Sequence, residues 1–363
     1  MVVNPSFWQG KKVFVTGHTG FKGGWLSLWL QKMGAEVVGF SLPPTTSPSL
    51  FESANVDTNM KSIMGDIRNI ENLISTIKES EPEIVFHLAA QALVRHSYQH
   101  PVETFSTNIM GTIHVLEALR DTPSVRAAVL ITSDKCYENK EWIWGYREND
   151  PMGGHDPYSS SKGCSELIIS SYRRSFFEDT PDKPLIASAR AGNVIGGGDW
   201  AQDRLIPDIV RGFLNGEPCL IRNPSAVRPW QHVLEPLKGY LMLVEHLYRG
   251  ENSFASGWNF GPNDADAKTV FWIADYLKGH WGGKADWYTE SAEQPHEAQM
   301  LSLDCSKARY ILNWQPSITL TDALETIVEW YRCYQAGDNM QKVTINQINW
   351  YERSIQAKNE DKS

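Results

Sequence analysis

Apolar residues along this chain fall into short runs, each closed by a glycine or polar turn and followed by a stretch with helical spacing. Residues 12–16 (Lys-Val-Phe-Val-Thr) read as a short buried strand. They run straight into Gly17-His18-Thr19-Gly20-Phe21-Lys22-Gly23-Gly24. A helix follows, with Trp25, Leu26, Leu28, Trp29, Leu30 and Met33 as a broad apolar face; Gly34 stops it before a second strand at 36–40. Further strands are expected at 84–88 and 127–132. A helix is expected over 103–119, with Phe105, Ile109, Ile113 and Leu116 on one stripe and Asn108 within it, and another over 159–177.

Strands alternating with helices through residue 190 predict an α/β protein: a doubly wound parallel Rossmann-type sheet with a second, smaller substrate-binding lobe. The expected division is 1–190 for the nucleotide-binding half, with about 229–260 returning to it. Residues 191–228 and 261–355 would form the smaller lobe, and 356–363 a polar tail. The Pro/Ser/Thr-rich segment 41–49 and that tail read as loose.

Composition narrows the function. With 363 residues, 41% of them hydrophobic, the chain can fill a substantial core. The apolar stretches at 83–92 and 126–132 stop well short of the roughly 20 residues of a membrane helix. Residues 1–10 carry no basic run followed by an apolar core, so no secretory signal is expected. A formal charge of −9 without a lysine or arginine block argues against nucleic acid. Cys136, Cys164, Cys219, Cys305 and Cys333 lack paired spacing, which suits a reducing cytoplasm and no metal. His96 and His100 lie four apart, without an evident third ligand.

Glycines at 17, 20 and 23 between a strand and a helix permit a tight turn and a close approach of backbone to phosphate. The helix N-terminus then offers unpaired N–H groups to a pyrophosphate. The spacing Gly-x-x-Gly-x-x-Gly resembles the extended short-chain dehydrogenase/reductase superfamily. That resemblance implies a dinucleotide held by Gly17, His18, Gly20, Phe21 and Gly23, an adenine contact at Asp66-Ile67, and close passage of Leu88-Ala89-Ala90 beneath the cofactor. The second strand ends Gly39-Phe40-Ser41-Leu42, with neither an acid for the ribose hydroxyls nor an arginine for a 2′-phosphate. NAD is therefore expected over NADP, and weakly retained.

Tyr158 and Lys162, four apart on one helix face, place an ammonium beneath a phenol. A free tyrosine has a pKa near 10, so a drop of about 3 units would make it a working base at neutral pH. With Ser133 at the end of a strand, the trio resembles the superfamily's hydride-transfer site. The two residues that follow, Asp134 and Lys135, are ionisable, which points to proton chemistry. The Asp-Lys pair, together with Gln91 to Arg95, Gly196 to Trp200, Asp203 to Pro207 and Arg228 to Val233, resembles the CDP-glucose 4,6-dehydratases over residues 7–335.

This resemblance implies oxidation at C4 of a nucleotide sugar, loss of water across C5–C6 and hydride return to C6. Asp134 and Lys135 would share the proton steps in a division the sequence leaves open. A lysine base must be partly neutral, hence lowered from about 10.4. Arg204 and Arg228 are the candidate pyrophosphate cations; Asn193 and Arg95 fall in stretches like the family's substrate contacts. Trp230 and Trp200 are candidates to flank base or sugar. Another nucleotide-sugar 4,6-dehydratase, a 4-epimerase, a non-catalytic NAD sensor and a stoichiometric reductase remain alternatives. The helices near 103–119 and 159–177 suggest, by family analogy, a homodimer or homotetramer.

Overall fold

The computed structural model describes residues 3–178, 180–290 and 300–360. Seven parallel strands form the central sheet: β1 (Lys12–Thr16), β2 (Glu36–Ser41), β3 (Lys61–Met64), β4 (Ile84–His87), β5 (Ala127–Ile131), β6 (Leu185–Arg190) and β7 (Gly257–Asn259). The main helices are α1 (Phe21–Lys32), α2 (Ile70–Ser80), α3 (Gly111–Arg120), α4 (Pro157–Tyr172), α5 (Leu205–Asn215), α6 (Leu234–Tyr248), α7 (Val270–Trp281), α8 (Leu320–Ala336) and α9 (Met340–Glu360).

Across the sheet the strands run β7-β6-β5-β4-β1-β2-β3. β1 lies between β2 and β4, with Phe14 opposite Val38 on one side and Val85 on the other. The chain winds outward from β1 one way and resumes at β4 the other way. The loops after these two strands therefore part, opening a crevice at their carboxyl ends. β4 and β5 are buried along their whole length, as parallel strands covered on both faces must be. Side chains alternate between two cores: Val13 and Val15 join Trp25 and Trp29, while Phe14 joins Phe40, Leu73 and Leu116.

α1 is apolar on nearly every side, and Trp25, Leu26, Leu28, Trp29 and Leu30 are all buried. Its outer side is covered by α9. Trp29 Nε1 donates to Glu352 at 2.9 Å, Lys32 pairs with the same carboxylate at 2.7 Å, and Tyr351 packs edge-on against Trp29. This differs from the expected division, which put residues up to 355 in the smaller lobe and a loose tail after them. α9 packs against α8 of the smaller lobe, where Gln347 donates to Thr326 O at 2.7 Å, and also against α1, and it stays helical to Glu360. The cause is mutual cover: α1 has an outer apolar face to bury, and α9 supplies Ile348, Tyr351 and Ile355.

The expected helix over 103–119 is interrupted. A short helix, Pro101–Phe105, passes through a π turn, Ser106–Met110, into α3. The wider turn splits the expected stripe: Leu116 is buried, Ile109 and Ile113 are half-buried, and Phe105 faces outward. Asn108 is turned inward, where Oδ1 accepts from Gln91 N at 2.9 Å and Nδ2 donates to Gln91 O at 3.0 Å and Ser161 Oγ at 2.8 Å.

After β6 the chain builds the smaller lobe from α5, α7, α8 and two small sheets, Cys219–Leu220 with Trp287–Tyr288 and Val227–Pro229 with Ala267–Thr269. Between these segments α6 packs under β5 and β6. β7 then extends the main sheet, with Trp258 opposite Ala189.

Candidate active site

Three loops at the carboxyl edge of the sheet meet over the crevice. In the first, Gly17 adopts φ +80°, and a Cβ there would lie 2.7 Å from Ala89 N. At Gly23 a Cβ would lie 2.1 Å from Gly17 O. Only glycines allow the turn after β1 to nest against Leu88–Ala90 and α1 to start so close beneath it. α1 begins after Gly20, so its unpaired N–H groups open onto the crevice. A dinucleotide pyrophosphate fits this cradle.

His18 is fully buried and its ring lies under Gly39, where a Cβ would come within 2.4 Å of it. Nε2 hydrogen-bonds Ser62 Oγ at 2.7 Å, whereas Nδ1 is buried without a partner among the described residues. Burial pushes its pKa down to about 4, so the ring is neutral. At the end of β2 the Thr19 and Ser41 hydroxyls bond each other at 2.7 Å. Asp66 is engaged by Arg68 at 2.5 Å, which holds its carboxyl below the usual range. Ile67 packs into the core beside Gly111 and its carbonyl bonds His114 Nδ1 at 2.8 Å, which leaves its backbone N–H for an adenine.

The second group follows β5. Ser133 Oγ donates to Asp134 Oδ1 at 2.9 Å and accepts from Lys135 N at 3.3 Å. Tyr158 stands in the first turn of α4, which is capped by Asp156 accepting from Ser159 N at 2.9 Å. Burial pushes the phenol up to about 12, and a hydrogen bond with Ser133 acts the other way. One turn on, burial pulls Lys162 down to about 8, opposed by the Glu166 carboxylate; its Nζ donates to Ile131 O at 3.4 Å. The phenol therefore holds its proton until further positive charge reaches it.

Asp134 is 3% exposed and accepts from Asn193 Nδ2 at 3.5 Å. Space for it depends on Gly192, where a Cβ would sit 1.8 Å from Asp134 Oδ2. Below lies a buried pair: Glu166 accepts from Arg190 and Ser188, each at 2.7 Å. Arg190 also donates to the Tyr137 hydroxyl at 2.6 Å. This network ties α4, β6 and the turn after β5 into one rigid support.

Ser133, Asp134, Lys135 and Tyr158 line one cavity of about 320 Å³, together with Arg95, Asn193, Arg204, Arg228 and Trp230. Lys162 stands behind them. Arg204 pairs with Asp199 at 3.1 Å and Arg95 with Asp203 at 3.8 Å. Trp230 is nearly buried, its indole N–H donating to Lys268 O at 3.1 Å. Trp200, expected as a possible flank for base or sugar, is core instead: it packs at 5.1 Å from Tyr331 and 5.0 Å from Tyr334.

Three contributors escaped the sequence reading. Lys22, inside the glycine motif, lines the cavity, and burial with the neighbouring Arg204 charge pulls it down to about 8. Its only sequence signal was a cation at a motif position read for glycine alone. Gly192 and Arg222 had no local signal. Among the described residues no group of three or more His, Cys, Asp or Glu could hold a metal, and no helix is long and apolar enough to cross a membrane.

The fold and this cavity describe a dinucleotide-binding protein with a second ligand pocket lined by ionisable side chains. The GDP-mannose 4,6-dehydratase family model matches residues 14–327, and the chain belongs to that family. It is 54% identical over 353 residues to a CDP-glucose 4,6-dehydratase of Salmonella typhimurium, covering 96% of this chain and 98% of the relative. Solved structures share the fold. An epimerase from Methanothermobacter thermautotrophicus matches at a TM-score of 0.78 with 22% identity, over 93% of this chain and 96% of that one. A dTDP-glucose 4,6-dehydratase from Streptomyces venezuelae, with NAD and TYD bound, matches at 0.76 with 21% identity, over 91% and 99%.

Proposed function

We propose that this chain is an NAD-dependent CDP-glucose 4,6-dehydratase. The observation that carries the chemistry is the contact of Ser133 with Asp134 and Lys135 on the cavity wall that Tyr158 shares. The cytidine nucleotide rests on the 54% identity to the Salmonella enzyme. NAD held in the glycine cradle at Gly17, Gly20 and Gly23 would supply the acceptor for the C4 hydride and the donor of hydride to C6.

Tyr158 removes the C4 hydroxyl proton while Ser133 hydrogen-bonds the same oxygen. Lys162 stabilises the phenolate from behind. The C4 ketone acidifies the C5 hydrogen, which Lys135 takes; Asp134 delivers a proton to the departing C6 hydroxyl, which leaves as water, and Lys135 returns its proton to C5 as hydride reaches C6. The product is CDP-4-keto-6-deoxyglucose, and the cofactor ends as it began. Gly17, His18, Gly20, Phe21, Gly23 and Leu88–Ala90 hold the dinucleotide. Arg204 and Arg228 hold the substrate diphosphate, with Arg95, Asn193 and Trp230 around them. The protein works in the cytoplasm, as a homodimer or homotetramer joined through the outward faces of α3 and α4.

Incubation of the purified protein with CDP-glucose and catalytic NAD, followed by the alkali-induced absorbance of 4-keto-6-deoxy sugars, tests this. Product from CDP-glucose and none from dTDP-, GDP- or UDP-glucose is the expected outcome. Product from another nucleotide keeps the chemistry and removes the cytidine. No keto sugar from any of them, with cofactor bound, overturns the proposal.

A further inference from the structure

A nucleotide sugar with its C4 at Ser133 and Tyr158 must extend its base toward the opposite wall of the cavity. That wall comes from the smaller lobe, where Leu220 ends the small strand Cys219–Leu220 and Ile221, Arg222 and Asn223 follow it. Asp203, on the loop before α5, lines the same space. Arg222 Nη2 donates to Asp203 Oδ1 at 2.8 Å, and Arg95 from the nucleotide-binding half approaches the same oxygen at 3.8 Å.

The other two acids on this wall are committed elsewhere. Asp199 accepts from Ala201 N at 3.1 Å and from Arg204 at 3.1 Å, and Asp208 is taken up by Arg211. Asp203 and Arg222 thus form a carboxylate and a guanidinium side by side, with the Arg222 and Arg95 contacts both falling on Oδ1. An acceptor next to a donor is complementary to one pyrimidine edge. Cytosine presents an N4 amine donor beside the N3 acceptor, whereas uracil and thymine present an O4 acceptor beside an N3–H donor.

We infer that Asp203, held by Arg222, is the residue that selects a cytosine base over uracil or thymine, Asp203 accepting from the N4 amine and Arg222 donating to N3. This rests on the CDP-glucose reading above. A uracil in the same place would set O4 against the carboxylate and N3–H against the guanidinium, so rejection is built in along with attraction. Asp203 has φ +60°, a left-handed conformation that Asp and Asn tolerate better than other side chains. Asn is therefore the replacement that keeps the loop while letting the amide present either an acceptor or a donor.

The test compares wild type, Asp203→Asn and Asp203→Ala for kcat/KM on CDP-glucose and UDP-glucose, with calorimetric titration of CDP and UDP alongside. In D203N the preference for CDP over UDP should shrink by at least about tenfold, the size expected for one mismatched buried hydrogen-bond pair, chiefly through KM. D203A should bind CDP more weakly without gaining UDP. Arg222→Lys, which keeps the charge and loses the fork, should also bind CDP more weakly and stands in should D203N not fold. An unchanged CDP-to-UDP binding ratio in D203N overturns the assignment. Should wild type bind CDP over UDP yet form no keto sugar, the dehydratase reading fails while the titrations still decide the role of Asp203.

Discussion

The proposed C5 base, Lys135, lines the cavity together with Asp134, Lys22 and Arg204. Lys135→Ala should cut keto-sugar formation at least about a hundredfold while NAD affinity stays near wild type. The check is exchange of the C5 hydrogen with deuterated solvent, read by mass spectrometry; unchanged exchange removes Lys135 from the proton step. Lys162 carries a stability prediction with a definite sign. Its folded pKa of about 8 lies below the ordinary lysine value, so between pH 8 and about 10 the unfolded chain holds a proton the folded one has released. Stability from this group therefore rises with pH across that window, by about 2 kcal/mol from pH 7.5 to 9.5. Lys162→Met, which cannot titrate, should lose ground to wild type by that amount in denaturant unfolding at the two pH values. A pH-independent difference would refute the buried-ammonium account.

At the scale of elements, the π turn at Ser106–Met110 connects structure to catalysis. It turns Asn108 inward so that one side chain joins the loop after β4 to α4, the helix that carries Tyr158 and Lys162. Asn108→Ala leaves the Gln91 N–H and C=O without these partners. It should destabilise the protein by about 2–4 kcal/mol, since each buried unsatisfied group costs about 1–3 kcal/mol. Urea unfolding reads the stability, and kcat should fall more than NAD affinity because α4 is the element loosened. The motif at residues 17–23 could be located from its glycines and their place between strand and helix. The π turn could not, because an apolar helical repeat carries no mark of one extra residue in a turn.

For the whole molecule, the outward side of the α3 and α4 region exposes Val102 at 80% and Leu167 at 60%, with Phe105, Met110 and Phe176 also solvent-facing. In the proposed assembly this face is covered by a second copy. A Val102→Glu/Leu167→Glu double variant should run as a monomer by light scattering, against a dimer or larger for wild type, with its melting temperature changed only through lost assembly. An unchanged mass would place the interface elsewhere. The cavity itself is also a property of the whole: its walls come from the loops after β1, β4, β5 and β6 and from the smaller lobe.

By itself the sequence determined the features that local sterics and periodicity enforce. The strand, glycine turn and helix of residues 12–34, the buried runs of β4 and β5, and the four-residue spacing of Tyr158 and Lys162 depend only on neighbours a few positions away. The class of sheet followed from their alternation. Tertiary structure alone decided which distant residues meet. Gly192 makes room for Asp134 from 58 positions away, a separation read from their numbers. Arg222 reaches Asp203 across α5, α9 returns to cover α1, and Trp200 turns into the core rather than the cavity. Each of these is a long-range packing solution, set by which surfaces remain to be covered once the sheet has formed, and no local pattern in the chain records that.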